Sequence, residues 1–130
     1  MSAFSNALSV TASGLQAQSM RLRTLAENIA NADTPGYRRK TIPFDAEQAA
    51  SSEMTRVVPG RVALDRKDLV QIYDPGHPLA DSTGHYLGSN VDLLIELADA
   101  REAQRSYEAN LKMFEQTRQM SSALLDLLRR

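Results

Sequence analysis

Each end of the chain carries a long run of apolar residues at helical spacing, while four of the five prolines and four of the six glycines fall between positions 43 and 88. Leu8, Leu15, Leu22 and Ile29 stand at a strict seven-residue interval, with Phe4, Ala12, Leu25 and Ala26 on neighbouring wheel positions. That is one helical stripe. Asn6, Ser13, Gln16, Arg23 and Glu27 occupy the opposite side. The spacing predicts a helix from about Ala3 to Ala32, roughly 45 Å long at 1.5 Å per residue, with Ser2 available as its N-cap. Thr34-Pro35-Gly36 stops it, because proline cannot donate the next ladder hydrogen bond and pushes the preceding residue out of helical torsions. Gly14 inside the stripe costs about 1 kcal/mol relative to alanine. Either the helix is weak alone or a neighbour's backbone approaches there, and weakness until docking is the preferred reading.

The second segment runs from Val91 to about Leu128. Leu93, Ala100, Tyr107, Phe114, Ser121 and Leu128 form one seven-spaced row, flanked by Leu97, Leu111 and Leu125. Met113, Met120 and Leu127 form a second row about 100° around the wheel, joined by Leu124. Over its last five turns this helix is apolar across roughly half its circumference, leaving Glu115, Gln119, Ser122 and Asp126 on the polar side. A single partner helix covers a narrower stripe, so the width predicts at least one further neighbour, from another copy or another protein. Ser89 and Asp92 have the spacing of a capping box. Asp92, Glu96 and Asp99 complement the positive end of the helix dipole, and Arg129 and Arg130 the negative end. Glu108 with Lys112, and Asp126 with Arg130, are spaced as i to i+4 pairs.

Between these segments the periodicity changes. Arg56-Val57-Val58, Pro59-Gly60 and Arg61-Val62-Ala63-Leu64 read as a hairpin, and Leu69 to Tyr73 as another strand. Ala46 to Ser52 reads as a linker or a helical turn, and Asp74-Pro75-Gly76-His77-Pro78 as a tight, stiff loop.

Composition removes several function classes. The 15 basic and 16 acidic residues leave a formal net charge of -1, so no overall field steers the chain toward nucleic acid or anionic lipid. Cysteine is absent, which removes disulfides, thiolate catalysis and cysteine-ligated metals. The first fifteen residues lack the charged and apolar regions of a cleaved secretory signal, and no apolar run approaches the roughly 20 residues that span a bilayer. Arg38-Arg39-Lys40 is too short a basic run for phosphate binding and reads as a solvated or intersubunit charge patch. His77 and His85, with Asp74 and Asp81, lack a paired helical ligand spacing, so no metal site is assigned. No acid-base pair, phosphate-cradling glycine loop or activated hydroxyl is present. Neither a catalytic nor a cofactor-binding residue is assigned, and the chain is not read as an enzyme. Tyr107 and Asn110 read as packing and helix-helix hydrogen bonding.

Three ordered signatures carry a family resemblance. Asn28 to Arg39, and within it Asn31-Ala32-Asp33-Thr34-Pro35-Gly36-Tyr37, resembles the amino-terminal signature of the flagellar basal-body rod and hook axial proteins. Ser106-Tyr107-Glu108-Ala109-Asn110 is similar to the family's carboxy-terminal helix signature. Asp74-Pro75-Gly76-His77-Pro78-Leu79-Ala80-Asp81, then Gly84, Tyr86 and Asn90-Val91-Asp92, resembles the middle segment of its proximal-rod type. The chain departs from the pattern where His85 separates Gly84 from Tyr86, where Ser89 replaces a usual proline, and where Leu97 replaces a usual methionine.

The resemblance implies a mainly α fold whose long N- and C-terminal helices pair as a coiled-coil-like hairpin, with a short irregular, β-containing middle segment. Residues 1–37, 38–89 and 90–130 would be the first helix with its motif, the middle segment and the second helix of one axial-protein domain. The implied role is a structural subunit of the proximal rod, a hollow drive shaft that transmits torque and surrounds the export channel. It would be located in the basal body and exported without a cleaved signal peptide. Implied partners are other copies of the chain, other proximal rod subunits, the rod-base adaptor FliE and the distal rod protein, with no nucleic acid, small-molecule substrate or cofactor. Leu8, Leu15, Leu22 and Ile29 are expected to face Tyr107, Leu111, Phe114 and Leu125 within or between subunits. Met113, Met120, Leu124 and Leu127 are expected to form a second seam covered by another copy, the flexible thioethers suiting inequivalent neighbours. Competing readings are another axial protein of the same family, a cytoplasmic helical adaptor or export chaperone, and a small enzyme using His77 or His85.

Overall fold

The computed structural model describes residues 2–48 and 54–130. Its order is α1 (Ser2–Ala30), β1 (Lys40–Thr41), β2 (Phe44–Gln48), β3 (Thr55–Pro59), β4 (Ala63–Leu64), β5 (Gln71–Tyr73), β6 (His85–Leu87) and α2 (Leu93–Leu128). The two helices pack along each other, and the strands between them form three small antiparallel pairs among the described residues: β1 with β4, β2 with β3, and β5 with β6. No described helix is long and apolar enough to cross a membrane.

Both helices lie where the apolar spacing puts them, but their ends differ from expectation. α1 already includes Ser2, so Ser2 is not its cap. The helix closes at Ala30, before the proline, where the Asn31 side chain donates to the Glu27 carbonyl (2.8 Å) and a turn leads to Gly36. Gly36 has φ +75°, a left-handed conformation that glycine adopts without a Cβ penalty. α2 starts at Leu93 with Asp92 as N-cap, its carboxylate accepting from Leu94 N–H (3.0 Å). The expected capping box does not form: Ser89 donates instead to the Ala32 carbonyl, tying the start of α2 to the end of α1. Glu108 accepts from Gln104 (3.5 Å), and neither expected i to i+4 ion pair closes among the described residues. In water such pairs contribute only tenths of a kcal/mol.

The middle segment corrects the hairpin. β3 pairs not with the residues after Pro59-Gly60 but with β2, in the register Phe44↔Pro59, Ala46↔Val57 and Gln48↔Thr55. β4 returns to β1, with Lys40 opposite Leu64. Gly60 explains why the chain does not fold back there: its N–H donates to the Pro43 carbonyl (2.7 Å), continuing the β2–β3 ladder beyond Pro59. Ala46 to Gln48 are therefore strand, not linker or helical turn; Ala49 to Ser52 lie outside the described residues. The expected strand at Leu69–Tyr73 shortens to β5 and finds a partner in β6. The loop from Asp74 is tight, with Asp74 N–H donating to Gly84 O (2.9 Å) and His77 N–H to Asp74 O (3.0 Å).

Along their middle the helices meet at small residues, Ala17, Ala103 and Gly14, with Leu25 buried nearer the end of α1. Ala17, Leu25 and Ala103 are the buried apolar residues among those described. The inward midline of α2 runs through Glu96, Ala103 and Asn110; of the expected row beside it, Ala100, Tyr107, Phe114 and Ser121 are half-buried, while its two end members Leu93 and Leu128 are exposed. A Cβ on Gly14 would stand 3.0 Å from Asn110 Nδ2. Gly14 is thus a close approach, as its second reading held, but the neighbour is a side chain and not backbone. Small residues at a helix contact bring the axes together, which leaves the larger apolar side chains at the flanks and outside.

Candidate functional site

At the end of the pair where α1 hands over to the middle segment, a polar clasp joins both helices and the loops. Asn28 and Glu96 have no solvent exposure. Asn28 Nδ2 donates to the Lys40 carbonyl (2.8 Å) and to Glu96 Oε2 (3.3 Å). Its Oδ1 accepts from Tyr37 OH (2.9 Å) and Lys40 N–H (2.9 Å). All four hydrogen-bonding positions of the amide are filled. Arg39 completes the clasp: its Nε donates to Glu96 Oε1, and its terminal nitrogens lie 3.4 Å from Asp99 and 3.7 Å from Asp65. Its backbone N–H donates to Asn90 Oδ1 (2.6 Å), and its carbonyl accepts from Asp65 N–H (2.8 Å). Asn90 Nδ2 and the Arg38 guanidinium both donate to the carbonyls of Asp65 and Lys67.

The basic run Arg38-Arg39-Lys40 stays half-exposed, but each of its cations already has partners within the chain. It is consumed inside the chain, Lys40 by Glu27, Arg39 by three carboxylates, and Arg38 by carbonyls. Burial pulls the Arg39 guanidinium down, but the Glu96 hydrogen bond and the charges of Glu96, Asp99 and Asp65 outweigh it and hold the group above its ordinary value. Burial, then the Glu27 charge, push the Tyr37 phenol up, so it stays a donor to Asn28. Sequence reasoning missed this clasp. One signal was present: Glu96 interrupts the apolar run Leu93 to Leu97 on the same seven-spaced line as Ala103 and Asn110.

The family-motif residues mostly shape this end. Thr34 Oγ1 donates to Asn31 Oδ1 (3.1 Å), Pro35 and Gly36 make the turn, and Gly36 N–H reaches the carbonyls of Leu87 and Gly88 (3.1 Å each). Val91 N–H donates to Ser89 Oγ (3.4 Å), and Asp92 caps α2. Asp74, Pro75, Gly76, His77 and Pro78 form the loop after β5. There the His77 ring stacks on Tyr86 (3.9 Å, 11°), and its Nδ1 accepts from Leu79 N–H (3.1 Å). His85 lies against Tyr73 and beside Thr83 Oγ1. Both imidazoles are occupied in loop structure, and no group of three metal-ligating side chains forms among the described residues. Ser106 is half-buried and Ala109 exposed. Among the described residues Tyr107 and Asn110 make no side-chain hydrogen bond between the helices; Asn110 packs on Gly14.

The first row lies along the helix pair: Leu8, Leu15, Leu22, Ile29, Tyr107 and Phe114 are half-buried, while Leu111 and Leu125 are at the margin of exposure. The second row is outside. Met113, Met120, Leu124 and Leu127 are open to solvent, Leu127 at 66%.

Fold and clasp together describe a helical-hairpin structural protein with unfilled apolar rows. The family described as "Flagella basal body rod protein" matches residues 8–38, and that described as "Flagellar basal body rod FlgEFG protein C-terminal" matches residues 82–127. The flagellar basal-body rod protein FlgC of Agrobacterium fabrum is 48% identical over 136 aligned residues, covering 99% of this chain and 98% of the relative. That of Salmonella typhimurium is 33% identical (94% and 96% covered), and that of Aquifex aeolicus 35% (88% and 90%). The chain belongs to the flagellar basal-body rod protein family, in its FlgC branch.

Proposed function

We propose that the chain is a structural subunit of the flagellar proximal rod, located in the basal body, that assembles through its terminal helices into a hollow shaft around the export channel. The observation that carries this reading is the outward row of Met113, Met120, Leu124 and Leu127, which the chain's own fold leaves uncovered. Apolar side chains at this spacing gain their burial from a neighbour. The clasp fixes the two helices in one register, so each copy presents the same rows. Torque then passes as shear shared over many packed surfaces, and no reaction is required. The partners are further copies, other proximal rod subunits, the rod-base adaptor FliE and the distal rod protein. The chain leaves the cytoplasm through the flagellar export apparatus without a cleaved signal.

Purified basal bodies provide the test. A density map should place the chain in the rod with α1 and α2 lining the shaft, and mass spectrometry should find its encoded amino terminus intact. A soluble cytoplasmic complex, with none of the chain in basal bodies, would overturn the reading in favour of an adaptor or export chaperone.

A further inference from the structure

Resting on the rod-subunit reading, we propose that the loop between β5 and β6 of one copy docks into a hollow on α2 of a second copy, with Leu79 entering it and Asp81 meeting the arginines at its rim. The hollow, about 450 Å³, is lined by Leu94, Leu97 and Ala98 with Arg101, Glu102 and Arg105 around them. Leu94 is 78% exposed. Glu102 lies 3.7 Å from Arg21, but Arg101 and Arg105 have no hydrogen bond or ion pair among the described residues. The site is an apolar floor with two uncommitted positive charges.

The loop offers the complement. Leu79 is 64% exposed although the backbone around it is fixed. Asp81 Oδ1 accepts from Thr83 N–H (2.8 Å), Thr83 Oγ1 (2.6 Å) and His85 N–H (3.1 Å). His77 holds Leu79 N–H, and Ala80 N–H donates to His77 O (3.0 Å). Gly84, at φ +82°, closes the loop so tightly that a Cβ there would stand 2.9 Å from the Tyr73 ring. Asp81 Oδ2 is left without a partner among the described residues, and Asp74 adds a second carboxylate. With the backbone beneath it already fixed, the leucine loses less conformational freedom on docking than one on a mobile loop would. An acid beside the knob and bases beside the hollow set the orientation. Knob and hollow are different surfaces of one chain, so the contact is head-to-tail and extends a row of copies instead of closing a pair.

The chain has no cysteine, which makes crosslinking decisive. Leu79→Cys with Ala98→Cys, replacing the native protein in flagellated cells, should give a ladder of covalent multimers on mild oxidation. Neither single variant should give it, and adding R101E/R105E should remove it. Should the pair keep the chain out of basal bodies, Ala80→Cys with Leu94→Cys carries the same readout. Basal bodies that contain a double-cysteine chain yet show no ladder overturn the docking while leaving the rod reading intact. Absence of the unmodified chain from basal bodies overturns the rod reading itself.

Discussion

Asn28 and Glu96 are buried polar groups that a coiled-coil reading has no place for, and each is held because every polar atom of its side chain finds a partner. Removing one member is costlier than removing the pair. Arg39→Met leaves the Glu96 carboxylate buried without its counter-charge and should cost about 3 kcal/mol. R39M/E96M removes the stranded charge and should be less destabilised than R39M alone, read from urea midpoints of the purified chain. A double variant no more stable than the single would mean that Glu96 is not strained by the loss of Arg39. A second expectation concerns Asp81. Hydrogen bonds from the Thr83 hydroxyl, then from the His85 and Thr83 amides, hold its carboxyl below the ordinary 3.8. Because the folded value is lower than the unfolded one, its contribution is complete above pH 3.8 and disappears as the pH falls through the folded value. The Thr83 and His85 amide shifts should therefore titrate with a midpoint below 3.8, and a midpoint at or above it would show that the carboxylate is not the hub of the loop. The partners of Asn28, Arg39 and Glu96 were not legible in the sequence, since they are brought together from positions up to 68 apart, whereas those of Asp81 lie within four residues of it.

The helices were legible because their apolar spacing extends over many turns, and the loop at Asp74 because proline and glycine restrict it directly. Strand pairing was not. Two-residue pairings such as β1 with β4 carry too few side chains for a period, and Pro59-Gly60 has the composition of a hairpin turn while its backbone instead prolongs the ladder with β2. Gly14 shows a similar limit: the sequence gives the position its propensity cost but not the neighbour that occupies the missing Cβ's space. A methyl there would require the Asn110 amide, which has no hydrogen bond among the described residues, to shift by a few tenths of an ångström. Gly14→Ala should therefore change stability little, the gain of about 1 kcal/mol in helix propensity being offset by crowding. In an Asn110→Ala background the same substitution should realise most of that gain. Equal effects of G14A in both backgrounds, measured by thermal or urea unfolding, would remove Asn110 as the reason for the glycine.

Burial along the helical hairpin is uneven: Ala17, Leu25, Asn28, Glu96 and Ala103 lie toward the clasp, and residues 122–130 are all exposed. The clasp end holds the chain together, and the far end of α2 adds the exposed Met120, Leu124 and Leu127 to the apolar surface that Leu94 and Leu97 already present. The sequence showed the width of the second row but not which helix face the chain would cover itself, because the inward line is built from Ala103 and Asn110 and not from its largest apolar residues. This division separates folding from assembly. Met120→Asp and Leu127→Asp place charge on side chains already open to solvent, so the isolated chain should unfold within about 0.5 kcal/mol of the native one. In cells the same variants should be secreted but fail to enter the rod, because a carboxylate buried against a neighbour without a counter-charge opposes docking by several kcal/mol. Leu25→Asp puts that charge beside the clasp and should unfold the chain itself, and Phe114→Asp, half-buried, should lower both stability and rod growth. Swimming cells carrying M120D or L127D would show that the outward row faces solvent in the finished rod, and the surface shared between copies would then have to lie elsewhere.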